Sequence, residues 1–221
     1  MRPKIFIWGA SGHSLVVADI LRLRAEFEII GLLDDINPER KGTCFGGLPI
    51  LGGAEQLGGL KREGATHLTF GFGDCAGRLR LAGVAEAAGF EFAEAIHPRA
   101  VVAGDVEVGR GTLIAAGAVV NPAVRIGRNA IINTSATVDH ECALGEAVHI
   151  APGSHLASRV TVGDGAWIGL GAVVGSGLTI GANSIVGAGA VITKDVPPGV
   201  VVYGVPGRIV RTVEEQRRRH R

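Results

Sequence analysis

From Ile96 onward every sixth residue is aliphatic without exception, running Ile96, Val102, Val108, Ile114, Val120, Ile126, Ile132, Val138, Leu144, Ile150, Leu156, Val162, Ile168, Val174, Ile180, Val186, Ile192. Against a one-in-three background, seventeen successive hits arise by chance with a probability on the order of 10⁻⁸. Neither the 3.6-residue period of a helix nor the two-residue alternation of an ordinary strand yields such a comb. Four residues after each tooth stands a small or modest side chain, as at Thr112, Ala118, Ala130, Ala136, Cys142, Ser154 and Ala166. Directly after a tooth comes Gly at 109, 127, 145, 163, 169, 175, 181 and 187, and elsewhere Asn121, Asn133 or Asp139. These are the residue types that best tolerate turns with positive φ. The expectation is a coil of three short strands per turn, with the aliphatic residue inside, the small one at the corner, and stacked coils sharing one core. A β-sandwich or barrel would instead require alternation within strands and irregular turn spacing.

Thirty-five glycines in 221 residues is about 16%, against a usual ~7%. No Gly-X-Y period accompanies them, which excludes collagen, and the intervening Val, Ile and Ala exclude a flexible linker. The aromatic residues divide the chain: all seven Phe and Trp8 lie at or before Phe92, and only Trp167 and Tyr203 follow. Ahead of that boundary, short apolar runs at Lys4–Trp8, Glu28–Leu33 and His67–Phe72 alternate with helical stretches at Ser14–Arg24 and Arg78–Ala88. This is the pattern of βαβ units around a small parallel sheet.

Charge excludes more than it suggests. Twenty-two Lys and Arg against 21 Asp and Glu leave a net charge of +1, which gives no global attraction to nucleic acid or an anionic membrane. Cys44, Cys75 and Cys142 lack C-x-x-C spacing, so neither a disulfide framework nor a zinc knuckle is expected. No stretch approaches the ~20 apolar residues of a membrane span, and the N-terminal apolar run is too short for a signal core; a cytoplasmic protein is the expectation.

On a repetitive scaffold, chemistry is sought where the repeat is interrupted. The longest interruption is Asn133-Thr-Ser-Ala-Thr-Val-Asp-His-Glu-Cys142, followed at nine residues from His140 by His149. His140 at a corner has the chemistry of a general base, and Glu141 or Asp139 is placed to raise its basicity; which of the two reaches it depends on the corner. Near the N-terminus, Gly9-Ala-Ser-Gly12-His13 joins a strand to a helix, where backbone N–H groups can hold phosphate, and Asp34 and Asp35 end the next strand. The loop lacks the three-glycine dinucleotide fingerprint, which makes NAD the lesser alternative. A solvated basic tail accounts for Arg217, Arg218, Arg219 and Arg221.

The comb resembles the hexapeptide repeat of the left-handed parallel β-helix acyltransferases. The runs IFIWGASGHSLVVADIL, LLDD and INTSATVDHECALGEAVHIAPGSHLAS make the whole chain similar to the bacterial sugar-nucleotide acetyltransferases, the family of UDP-4-amino-sugar N-acetyltransferases and sialic acid O-acetyltransferases. The resemblance implies a Rossmann-like α/β domain over residues 1–95, a left-handed β-helix over 96–198 and a closing loop with a basic tail over 199–221. It further implies His140 as base with Glu141 in support, and acetyl-CoA, without a metal, as co-substrate. Asn133, His149, Gly169, Leu170, Ala188 and Arg208 would contact the coenzyme, with backbone N–H groups near His149 receiving the oxyanion. Ser11, Gly12, His13, Asp34, Asp35, Gly73 and Arg78 would surround the nucleotide sugar, a UDP-linked 4-amino-4,6-dideoxy sugar first. A homotrimer with active sites between subunits also follows from it.

Hydroxyl acetylation remains open at this stage, as does a non-catalytic nucleotide-sugar-binding trimer. The β-helical carbonic anhydrases need two His five residues apart, a spacing that this chain lacks.

Overall fold

The computed structural model describes residues 2–218; Arg219 and Arg221 of the expected tail lie outside the described residues. The first part is a parallel sheet of β1 (Lys4–Trp8), β2 (Glu28–Leu33), β4 (Leu48–Gly52), β5 (Ala65–Phe70) and β6 (Glu91–Phe92), with β3 (Cys44–Phe45) antiparallel on the β4 edge. The order is β3-β4-β2-β1-β5-β6, so the sheet grows in opposite directions from β1. Helices α1 (Gly12–Arg24), α2 (Leu57–Arg62) and α3 (Cys75–Ala87) connect the strands. Ile5 and Ile7 on one face of β1 pack with Val17, Ile20 and Leu21 of α1, and Phe6 and Trp8 on the other face pack with Leu60, Ala82 and Ala85. This is the alternation that a doubly covered parallel sheet requires.

The comb then becomes a β-helix. Seventeen two-residue strands run from Ala95–Ile96 to Val191–Ile192, and each comb residue is the second, inward member of its strand. They form three parallel sheets in which each strand pairs with the strand eighteen residues on. The first face carries Leu113, Ile131, His149 and Trp167 outward, the second Val119, Thr137 and His155, the third Arg125, Ala143 and Thr161. Inside, the comb residues from Ile114 to Ile192 share one core with Ala118, Ala136, Cys142 and Val148.

Positive φ falls elsewhere than the sequence suggests. From Gly111 to Gly189 it occurs at every sixth residue, three positions after each tooth, and includes Ala123, Asn129, Ser135, Glu141, Ala147, Arg159 and Asn183. The glycines directly after a tooth do not have it; at 109, 127, 145, 163, 169 and 181 they are needed because the next coil passes too close for a side chain. A Cβ on Gly127 would stand 2.6 Å from the carbonyl carbon of Gly145, and one on Gly163 would stand 2.5 Å from the nitrogen of Ala182.

The C-terminal segment is more ordered than a closing loop with a solvated tail. Val200–Tyr203 extends the first face, Arg208–Thr212 folds back on it antiparallel, and α4 (Val213–Arg218) follows, with Arg218 paired to Glu214 at 2.8 Å. No described helix is long and apolar enough to cross a membrane.

Two kinds of glycine predict two stabilities. Gly163→Ala, which forces coils apart, is expected to destabilise by about 2–3 kcal/mol. Gly153→Ala, at φ +65° with nothing within 4 Å of the added carbon, is expected to lose only about 1 kcal/mol. Denaturant unfolding of the two variants checks the order, and equal losses would contradict it.

Candidate active site

Ligands of open α/β sheets bind outside the carboxyl ends of strands where the strand order reverses. Here that place lies beyond β1, β2 and β5, and it holds a cavity of about 270 Å³. Trp8, Leu33, Phe72 and Leu81 give it an apolar wall, while Ser11, Asp35 and Arg80 supply polar groups. Gly9 is required, since at φ +129° a Cβ would stand 2.9 Å from the backbone of Gly71. Ser11 precedes Gly12, the first residue of α1, and its hydroxyl donates to Gly71 O at 3.3 Å.

The two aspartates have different tasks. Asp35 is exposed at the rim and accepts from Trp8 Nε1 at 2.6 Å and from the Ala54 N–H at 2.7 Å. Asp34 is buried and accepts from the N–H groups of Ile36 and Asn37, the Asn37 amide and Arg40 at 2.7 Å. Burial pushes its pKa up, but these donors outweigh burial and hold it below the usual value. Asp34, expected around the nucleotide sugar, thus borders the cavity with its carboxylate committed to organising its own loop. Sequence alone did not single out Trp8, Phe72, Arg80 and Leu81; Trp8 ends β1 and Phe72 lies just beyond β5, a position that could have marked them, whereas Arg80 and Leu81 reach the cavity from α3.

Arg78 and Gly73 also depart from expectation. Arg78 is 1% exposed and donates to the carbonyls of Phe72, Gly73, Asn129, Ala147 and Val148 at 2.6–3.3 Å. It joins α3 to the β-helix and has no face turned to the nucleotide cavity. Gly73 belongs to the same joint: its carbonyl accepts from Arg78 at 2.6 Å and from His149 Nδ1 at 3.2 Å. Because a carbonyl only accepts, His149 carries its proton on Nδ1, and its Nε2 accepts from the Asn133 amide at 3.1 Å. Asn133 in turn accepts the Thr134 N–H at 2.8 Å. The His149 ring lies 4.4 Å from that of Trp167 and 6.3 Å from that of His13.

Both rings are held neutral. Burial first and then the nearby Arg78 charge lower His149 to about 3 and His13 to about 4. His149 thus fastens the domains together from the first face. Its own N–H and that of Ala151 are taken by the Ala166 and Ile168 carbonyls of the next coil, which removes them as oxyanion donors. His13 sits at this joint beside His149, with Nε2 buried and no hydrogen-bond partner among the described residues, and does not line the nucleotide cavity.

His140 occupies another part of the prism. It follows the second-face strand Thr137–Val138 and precedes the third-face strand Ala143–Leu144, which places it on the edge opposite the first face. Its Nδ1 lies 2.9 Å from Glu141 Oε2. The left-handed Glu141, at φ +61°, lets these sequence neighbours meet. Asp139 instead accepts the His140 backbone N–H and the Asn121 amide. The residues expected around the coenzyme follow the edge between the first and second faces. There Leu170 and Ala188 are exposed eighteen residues apart, while Gly169 and Asn133 are buried. Arg208 is exposed on the C-terminal hairpin. Among the described residues no group of three or more His, Cys, Asp or Glu stands together as a metal site.

Residues 4–84 match the PglD N-terminal domain, and residues 159–194 match six bacterial transferase hexapeptide repeats. Among solved structures the chain is similar to PerB from Caulobacter crescentus, a perosamine N-acetyltransferase determined with CoA and GDP-perosamine. The two are 40% identical with a TM-score of 0.90, over 95% of this chain and 98% of that one. It is also similar to the acetyltransferase domain of PglB from Neisseria gonorrhoeae, at 35% identity and TM-score 0.88, over 95% and 100% of the two chains. WeeI from Acinetobacter baumannii follows at 28% identity and TM-score 0.82, with the same coverage. No curated protein sequence matches the chain. The match to hexapeptide acetyltransferases gives the coil its left hand.

The neutral pair at the joint predicts acid sensitivity. An unfolded His takes up a proton near 6.5, whereas folded His13 and His149 wait until about 4 and about 3, so the unfolded chain binds more protons in between. Stability should fall as pH drops from about 6.5 toward 4. A melting series is expected to show this fall, with a shallower slope in His149→Gln; an unchanged slope would contradict the assignment.

Proposed function

Because this chain belongs to the bacterial sugar-nucleotide N-acetyltransferases that join a PglD-type N-terminal domain to hexapeptide coils, we propose that it acetylates the 4-amino group of a nucleoside-diphosphate-linked sugar, with acetyl-CoA as donor. The observation that carries this reading is the full-length likeness, at 40% identity, to an enzyme solved with CoA and an amino-sugar nucleotide together. The base enters the cavity beyond β1, with an aromatic wall at Trp8 and Phe72 and its N–H edge toward Asp35. Uracil and guanine both present such an edge, which agrees with the UDP expectation and equally with a GDP-sugar.

In the reaction, the sugar amine attacks the thioester carbonyl and His140 Nε2 takes the proton that the amine loses. The tetrahedral intermediate collapses, the C–S bond breaks, and the CoA thiolate leaves. Glu141 accepts from His140 Nδ1, which leaves Nε2 as the acceptor. The first face lies against the chain's own nucleotide domain, and His140 is on the opposite edge. A cavity and a base so divided are brought together by packing copies side by side, and we take the working unit to be a homotrimer with its active sites between chains. The reaction is placed in the cytoplasm, where acetyl-CoA and sugar nucleotides meet.

A thiol-release screen across UDP-, GDP- and dTDP-linked 4-amino sugars tests the activity, and silence with all of them would overturn it. His140→Ala is expected to lower kcat by about 10²-fold or more with CoA binding intact. A loss below tenfold would remove His140 from the role of base.

A further inference from the structure

Along the edge that bears His140, the eighteen-residue coil stacks Ala123, Glu141, Arg159 and Gly177 at one register, all with φ between 58° and 71°. Such a position favours Gly, because any L-residue in the left-handed region is strained by roughly 1–2 kcal/mol. Among the described residues every other non-glycine residue with positive φ is Ala, Asn or Ser; Glu141 and Arg159 alone are charged, they are opposite in sign, and they occupy consecutive coils. The main chain fixes their approach, since Glu141 N–H donates to Pro122 O at 3.1 Å and Arg159 N–H to His140 O at 3.0 Å. As a result one carboxylate oxygen, Glu141 Oε2, faces two donors, His140 Nδ1 at 2.9 Å and Arg159 Nη1 at 3.8 Å.

We infer that Arg159 is a positioning residue for the proposed transfer, holding the Glu141 carboxylate against His140 Nδ1 so that Nε2 stays turned to the amine. The inference rests on the assignment of His140 as base. Stability does not explain the pair: the three side chains are 46%, 54% and 60% exposed, and exposed ion pairs contribute little to folding. An exposed carboxylate beside a flexible His is free to swing into water, and a second anchor on the next coil restricts that motion. Asp139 cannot replace it, because its carboxylate is tied to Asn121 and to the His140 backbone.

A phosphate-binding role for Arg159 gives a different signature, so a double-mutant cycle separates the two. Arg159→Gln is expected to lower kcat by about fivefold, the upper end for an exposed pair, with KM for both substrates changed less than twofold. In an Glu141→Gln background the same change should have no further effect, and Arg159→Lys should restore most of the activity. Arg159→Ala, a residue already accepted at this register as Ala123, serves if the Gln variant does not assemble. A loss that appears in KM, or that persists without the Glu141 carboxylate, would overturn the inference, as would no loss at all. If the wild-type chain transfers no acetyl group, the proposed function falls instead. Nitrogen-15 shifts of His140 then decide the positioning on their own: Nδ1–H should dominate in the wild type and give way to a tautomer mixture in Arg159→Gln, and an unchanged tautomer would contradict it.

Discussion

Main-chain hydrogen bonds between coils eighteen residues apart govern this molecule: His149 N–H reaches Ala166 O, Ala151 N–H reaches Ile168 O, and the same ladder recurs along all three faces. Such strands sit about 4.8 Å apart, so a residue's height on the prism and its face follow from its place in the eighteen-residue period. The aliphatic comb is the inner wall of that ladder. Close stacking excludes a side chain at Gly127 and Gly163, and left-handed corners recur from Gly111 to Gly189. His140 and Glu141 meet because they occupy one such corner.

The same ladder gives the nucleotide domain a surface to dock on. Leu113, Ala115 and Ile131 of the first face pack with α1 and the sheet, and Arg78 bonds to carbonyls of two successive coils while sharing Gly73 O with His149. A buried guanidinium with its donors satisfied by carbonyls is a directional joint, since any sliding of the domain would leave donors unpaired. One face is thus given to the chain's own domain, and the base lies on the edge opposite that face. The proposed division of the active site between chains follows from this asymmetry.

What could be read from the sequence was whatever the repeat writes locally. The comb residues, the small corner residues and the apolar run of β1 announce themselves by spacing, because each answers to its near neighbours in one coil or one strand. Long polar side chains do not. The family resemblance put Arg78 around the nucleotide sugar, yet its destination is set by carbonyls of Asn129 and Ala147, more than fifty residues away. Asp34 and Asp35 are indistinguishable in sequence, and only the fold sends one to Arg40 and the other to Trp8. The glycines after the comb residues were identified correctly as structural but for the wrong reason, since close approach of the next coil is a property of stacking and not of the local turn.

The central claim, that a nucleotide cavity on one chain works with His140 of another, is tested most directly by subunit complementation. Chains carrying His140→Ala and chains carrying Asp35→Arg, each inactive alone, would be co-expressed with different tags and the mixed assemblies isolated. Every mixed trimer holds one site of its three in which an intact cavity faces an intact His140, so activity should return to about a third of the wild-type level. Mixed assemblies as inactive as their parents would show that the cavity and the base of each site belong to one chain.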